Sequence, residues 1–575
     1  MSFEFLVEQE ELPRKLSSEQ AVDVARNIGE LWAKWDNTRE KQKKIADKLR
    51  PEIYLDERHS NNDPQNWKSD IHLNKIYSLV QTQQAFIWDN IYSSVDKLFD
   101  VEGKDKASAG NAAVQKANLV NIFNAIGIQR KLDRAIEYLG TVGEFCLFVG
   151  WKTSYKQIRR PLEKLADNLS PVFHGENFGV FNQEIYNGPT VEAIDPINLV
   201  FDPKVSPEDE EKWDACGKII KEWQTYDNIC ANKLYKLSPE TLEEIRLLIN
   251  NQNEDKDAPS TEKVDEIVEQ NRIEVLQYWG NYTLKDGHTL KNWNIVVIAR
   301  KYLAMFEANR WIINPIVNMA IFRDIRSKRG IPEIWSIYEL AKEQEKKVNL
   351  QNDAQSLNLN PPAYAPEGFF KEKQITLTPG KQIEYKPGLD DPGAIIKMQF
   401  PLISNERIIE YYDNVASGVS GIFPNMQGQD ETRDATATEI RIKVQGQTTR
   451  LAKTLDAIKQ NGIVPMVVKV AELDANMKFG DEIIYNASEG LTTIGDAIRQ
   501  GKYIYRYTDN SGIARKMLKN QELVKILSNV WNDPQVRLNK KEIVKEALLN
   551  ADFENPEQYF LPDTEVMPFE NGGRI

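Results

Sequence analysis

Everything else in the chain is read relative to IPEIWSIYELAKEQEKKVNLQNDAQS, residues 331–356. A helix is predicted after Gly330 and Pro332, because proline in a first turn gives up no hydrogen bond that the helix needs. Its apolar residues, Ile334, Ile337, Tyr338 and Ala341, stop early, and from Lys342 onward nearly every position is polar. A helix polar on almost all sides bridges solvent or takes its packing partners from other copies. The second half is therefore expected to bury no face in its own chain. From Ile334 to Ser356 it would span about 35 Å at 1.5 Å per residue. Beyond it, Asn358–Gly393 is proline-rich and contains the short alternating runs QITL and QIEY, a pattern of edge strands and exposed turns. A second helix is predicted over Pro401–Ser417, ending at Gly418. Ile422–Asp434, IFPNMQGQDETRD, reads as an exposed polar loop. Thr436-Ala-Thr-Glu439 is a capping box. It opens a long helix with the stripe Ile440, Val444, Leu451, Leu455 and Ile458, running to Asn461-Gly462. Helix, β-rich insert, helix, loop and helix in this order describe a stalk.

A chain of 575 residues is too long for one core, and two to four domains is the natural expectation. Hydrophobic content of 41% and aromatic content of 9% belong to a globular chain. A net charge of −13 argues against tight wrapping of nucleic acid, which needs an excess of Lys and Arg. It leaves room for a surface along which nucleic acid slides. Cys146, Cys216 and Cys230 lack CxxC spacing and are odd in number, so they read as buried thiols of a reducing compartment. The first residues, MSFEFLVEQEELPRK, carry no secretory signal pattern. No apolar run approaches the ~18 residues of a membrane span. The chain is expected to be soluble and made inside the cell.

Ser17 and Gln20 form a capping-box pattern before a helix with Val24, Ile28, Leu31, Trp32 and Trp35 on one stripe. That helix is expected to continue through TREKQKKIADKLR to Pro51, with the basic run as a solvated face. A further helix covers Ile76–Val95. Residues 101–113 read as a polar loop, and 121–140 as one helix ending at Gly140. EFCLFVGW, residues 189–203 and CGKIIKEWQT read as strands, 225–237 as a helix, and Leu242–Val264 as a helix passing into a loop. RIEVLQYWGNYTL and NWNIVVIARKYLAMF, joined through Asp286–His288, form an antiparallel hairpin region. EIIYNAS and KYIYRYT read as another hairpin.

Motifs of catalysis are missing from the sequence. The Gly-Lys pairs at Gly103, Gly217, Gly380 and Gly501 lack the GxxxxGK[ST] frame that cradles phosphates. There is no HExxH, GxSxG or Cys/His metal spacing. His59, His72, His174 and His288 are scattered, and the pair Asp390 and Asp391 sits in a Pro-Gly turn where solvation is the default. The expectation is a protein that is not an enzyme and has no cofactor or metal. An oligomeric intracellular scaffold, or a carboxylate-dependent nuclease or hydrolase with acids drawn from distant segments, are the alternatives.

The order RGIPEIWSIYELAKEQEKKVNLQNDAQSLNLNPP, a β-rich insert with Pro-Gly turns, then ATATEIRIKVQGQTTRLAKTL, resembles the portal proteins (head-to-tail connectors) of tailed bacteriophages. LGTVGEFCLFVGW, VEAIDPINLVFDP and EVLQYWG look like wing segments of that family, and the likeness runs from about Trp67 to about Gln558. It implies a mixed α+β, predominantly helical fold with portal-like wing, stem, clip and crown, in a ring of about twelve subunits at one capsid vertex. The parts would be an N-terminal wing (1–330), stem helix 1 (331–357), clip (358–393), stem helix 2 (394–418), tunnel loop (419–435), the rest of the wing (436–510), and crown with C-terminal tail (511–575). The ring would carry double-stranded DNA without reading its sequence. It would meet the terminase packaging motor, tail adaptor proteins and the major capsid protein, and would have no membrane partner.

The resemblance makes Asn425, Gln427, Gln429 and Arg433 the DNA-facing tunnel loop, three neutral hydrogen-bonding groups and one cation. It makes Lys371, Glu372 and Lys373 part of the clip that docks terminase or adaptor. As plain residues, both groups also read as solvated loop, and for the clip trio turn solvation is the first reading. Arg441, Lys443, Arg450 and Lys453 on the long helix suit intersubunit pairing and simple solvation equally.

Overall fold

The computed structural model of the chain describes residues 16–54, 68–92, 95–161, 178–254, 268–269, 271–361, 363–366, 382–385, 396–397, 406–420, 453–486 and 490–507. Two compact units divide the chain, 1–506 and 507–575, and of the second only Tyr507 is described. Helix α1 (Ser18–Asn37) opens on the expected capping box, with Ser17 Oγ accepting from the Gln20 N–H and the Gln20 side chain accepting from the Ser17 N–H. It does not continue through the basic run. Thr38 turns its hydroxyl back onto the Trp35 carbonyl, and α2 (Glu40–Tyr54) starts afresh and carries Pro51 within it. The expected solvated face holds for Lys41, Lys44 and Lys48, which are exposed, but Arg39 and Gln42 are buried, and Ile45, Ala46 and Leu49 pack inward.

After α3 (Lys75–Ile91), residues 101–113 are no loop. They lie in β1 (Phe99–Gly103) and the start of α4 (Lys106–Ile126), which Asp105 caps by accepting from the Ser108 N–H at 2.7 Å. The single helix predicted over 121–140 is divided at Gly127, φ +62°, and α5 (Ile128–Val142) ends at Gly143, φ +87°, with Gly140 inside it. Strands β2 (Phe145–Pro161) and β3 (Phe178–Ala193) form a long antiparallel ribbon with a bulge at Ser154/Tyr155. A 3₁₀ turn at Pro196–Asn198 interrupts the strand predicted over 189–203 before β4 (Leu199–Phe201). Then follow α6 (Glu210–Ala215), β5 (Lys218–Thr225), α7 (Tyr226–Ala231, far shorter than predicted), α8 (Pro239–Glu254), β6 (Val268–Glu269), β7 (Arg272–Thr283), β8 (Thr289–Ile298), β9 (Tyr302–Ala308) and β10 (Ile316–Met319).

Helix α9 (Trp335–Leu359) begins three residues after Pro332. Short strands β11 (Ala363–Pro366), β12 (Gln382–Tyr385) and β13 (Ile396–Lys397) precede α10 (Glu406–Ser420), so the insert reaches beyond Gly393, and the helix runs past Gly418. Residues 453–458 are helical and pass through a π-turn, Lys459–Ile463, into α11 (Val464–Met477). The hairpin predicted between 482–488 and 502–508 does not form. Instead β14 (Glu482–Asn486) pairs with β15 (Gly490–Ile494), and β16 (Tyr503–Tyr507), reached through α12 (Asp496–Arg499), pairs with β1.

The architecture is mixed helix and sheet with open sheets. Strands in the order β4-β5-β7-β8-β9, with β6 on β7, form an antiparallel sheet covered on both faces. Alternate residues point to opposite faces. Ile219, Leu276, Tyr278, Ile295 and Val297 pack under α1, while Ile273, Val275, Val296 and Ile298 pack under α7 and α8. A second core joins α3, α4, α5, β2 and β10 to Leu455, Ile458, Met466, Val467 and Val470. Segments on either side of the α9–α10 region therefore share one interior. Cys146 is buried and Cys216 half-buried, but Cys230 is exposed, contrary to the buried thiols expected, and all three are free. No helix among the described residues is long and apolar enough to cross a membrane.

Candidate functional site

Helix α9 has 25 residues, about 37 Å of rise. Only Ile337, Ala341 and Gln344 are buried along it. Its base joins Ile45, Leu49, Ile53, Leu79 and Val80 in an apolar cluster that also holds Ala416 of α10. The two helices run in opposite directions. Ala416 meets the Ile337–Ala341 end, whereas Gln344 donates to the Asp413 carboxylate at 3.0 Å and reaches the Ile409 carbonyl at 3.5 Å. Lys75 ties the pair to α3, donating to Gln344 Oε1 at 2.8 Å and forming an ion pair with Asp413. At the end where α9 stops and α10 starts lies a separate three-stranded sheet in the order β12-β11-β13, with β11 parallel to β12 and antiparallel to β13.

The polar half of α9 does find partners in its own chain, which corrects the expectation from its composition. An extended segment, Ser69–Leu73, lies along it as a strap. The Leu73 N–H donates to Glu345 at 3.1 Å, the Ile71 N–H to Asn349 at 2.8 Å, and the Ser69 N–H to Asp353 at 2.5 Å. Asn349 also donates back to the Ile71 carbonyl at 3.0 Å, and His72 Nδ1 lies 3.0 Å from Glu345. Residues 345, 349 and 353 are one helical stripe, so a polar stripe satisfies the backbone of a segment with no sheet partner. Burial alone would raise the Glu345 carboxyl, but Lys342, His72 and the Leu73 N–H outweigh it and hold it below its ordinary value. Asn349→Ala removes both bonds to Ile71, roughly 1–2 kcal/mol. Amide exchange at Ile71 and Leu73 is expected to speed up about tenfold while exchange in β7 and β8 stays unchanged, measured by hydrogen–deuterium exchange with mass spectrometry.

Under the helical pair lies a buried ionic network. Glu144, fully buried at the start of β2, accepts from the Gln42 amide at 2.9 Å, the Asn318 amide at 2.9 Å and the Gly330 N–H at 2.6 Å, and lies 3.5 Å from Arg329. Burial would raise its carboxyl; Arg329, Arg323 and these donors overcome that and hold it low. Burial pushes the Arg329 guanidinium down to about 10. Arg39 and Arg329 donate to the same two carbonyls, Pro196 and Leu199, and Arg39 is neutralised by Asp36 at 2.5 Å. The network joins α2, the 3₁₀ turn, β2 and the segment that feeds α9.

Of the residues the sequence singled out, Asn425, Gln427, Gln429 and Arg433, and equally Lys371, Glu372 and Lys373, lie outside the described residues, as do Arg441, Lys443, Arg450, Asp390 and Asp391. Lys453 is described and exposed. The sequence reading missed Glu144, Arg329 and the strap. The 345/349/353 stripe was visible as spacing, but nothing in the sequence showed which backbone it would meet. Among the described residues no group of three or more His, Cys, Asp or Glu could hold a metal ion. No known family model matches the chain, and comparison with curated proteins finds no match.

Proposed function

We propose that the chain is a subunit of a ring-shaped portal through which a tailed bacteriophage loads and releases double-stranded DNA. The observation that carries this reading is the α9–α10 pair. It is an antiparallel two-helix unit, anchored at one end in an apolar cluster with α2 and α3 and bearing its own small sheet at the other. That is the order of parts a stem and clip require. Further support comes from what the strap and base leave uncovered. Ser336, Glu339, Lys346 and Leu350 on α9, and Arg407, Ile408 and Tyr411 on α10, stay exposed, Tyr411 by 64%. Such a mixed surface suits sister subunits set around an axis. In this reading about twelve copies close the ring, the β11–β13 sheet meets terminase and later the tail adaptor, the core region sits against the capsid protein, and the product is a virion component.

Electron microscopy and native mass measurement of the purified full chain test it. A ring with a central hole is the expected result, and a compact monomer at every concentration overturns it. Residues 422–434 would face the DNA. Replacing Asn425, Gln427 and Gln429 with lysine adds three cations that grip phosphates. DNA packaging is expected to fall at least tenfold while rings still form, and unchanged packaging would remove that role from the loop.

A further inference from the structure

The β2–β3 ribbon outruns its support. β10 covers β2 only at Phe145–Phe148, and from Lys152 onward the two strands pair with each other alone. Tyr155 and Ile185 are each 62% exposed and Phe181 46%. A two-stranded ribbon alone in water is marginal, and exposed apolar groups of this size mark a contact surface. The ribbon is also basic. Lys152 and Lys156 are exposed, Arg159 and Arg160 follow in sequence, and Glu184 is the single acid on the facing stretch 178–188.

A surface elsewhere on the chain has the opposite character. Beside α6 lies a cavity of about 170 Å³ whose apolar walls include Pro207, Trp213, Met319 and Pro465. Of the charged groups that line it, Glu208 is paired with Arg323 and Asp214 with Lys469, and Glu210 and the exposed Glu211 that follows it carry the remaining negative charge. Its volume is on the scale of one large side chain, such as the Tyr155 phenol.

We infer that the ribbon of one copy docks on this acid-edged cavity of the next, Tyr155 entering it while Lys152 and Lys156 face Glu210 and Glu211. The two surfaces differ, so the contact is head-to-tail, and repeated around an axis it closes a ring. The inference rests on the ring reading above and adds to it which surfaces meet. A carbodiimide that couples lysine to carboxylate, applied to an assembled mixture of heavy-isotope and ordinary full-length chains, is expected to join Lys152 or Lys156 of one copy to Glu210 or Glu211 of another. K152E/K156E is expected to raise the concentration needed for assembly at least tenfold without changing the melting of the unassembled chain. Adding E210K/E211K to that variant is expected to restore assembly. Rings of the unaltered chain whose ribbon couples only within its own copy, or crosslinks to DNA instead, overturn the inference and leave the ring intact. So does a reversed ribbon that assembles normally. A chain that never assembles overturns both.

Discussion

Glu144→Ala is expected to lower the folding stability of the chain by about 3–5 kcal/mol, the usual cost of leaving a buried partner charge alone. The carboxylate is the acceptor on which Gln42, Asn318, Gly330 and Arg329 converge, and none of them reaches solvent easily. Without it Arg329 stays buried beside Arg39 with its main counter-charge gone. Urea denaturation followed by tryptophan fluorescence measures the loss. The same carboxylate makes the fold acid-sensitive. Its pKa in the folded chain is held below that of the unfolded chain, about 4.3. Its stabilisation is therefore complete above that value and lost as the pH falls below it through the folded pKa. Glu144→Gln, which cannot ionise, is expected to begin weaker at pH 7 and to lose less between pH 5 and pH 3 than the unaltered chain.

Gly330→Ala is expected to cost about 3 kcal/mol, the upper part of the range for overpacking. A Cβ there would lie 2.2 Å from the Gly143 carbonyl oxygen, and one on Gly143 would lie 2.4 Å from the Ile331 carbonyl carbon. Two backbones touch at this point, one ending α5 and the other leading into α9. Neither can give way without moving a helix. Gly418→Ala is the control. It sits within α10 with nothing within 4 Å of the new methyl, and alanine there is expected to stabilise by about 1 kcal/mol. Thermal melts followed by far-ultraviolet circular dichroism separate the two, and a Gly330→Ala chain that melts like the parent would show that the contact relaxes.

What could be read in advance was local. Ser17 and Gln20 announced the first helix, and the alternation in RIEVLQYWGNYTL and NWNIVVIARKYLAMF announced β7 and β8. The polar length of α9 and the proline-rich stretch after it were equally visible. The reading failed where long-range partners decide. Arg39 and Gln42 look like solvent-facing polar groups until the Pro196 and Leu199 carbonyls and Glu144 are brought to them from over a hundred residues away. β16 leaves its expected hairpin because β1, four hundred residues earlier in sequence, offers an edge. Gly127 and Gly143 end helices through positive φ, whereas Gly140 is tolerated inside one, a difference that glycine itself cannot signal. In the sequence Asn349 is one more polar residue in the polar half of α9. Its role depends on a strap that carries no pattern of its own.

That strap also sets its own limit. Four residues of helix advance about 6.0 Å, and two residues of extended chain about 6.6 Å. The two rulers agree closely over the rungs at Glu345, Asn349 and Asp353 and then slip apart, by more than half an ångström at each further step. Like a vernier, the pairing is good only near coincidence. A short grip on a rigid rod is the natural result, one that holds the middle of α9, from Glu345 to Asp353, well above its apolar base.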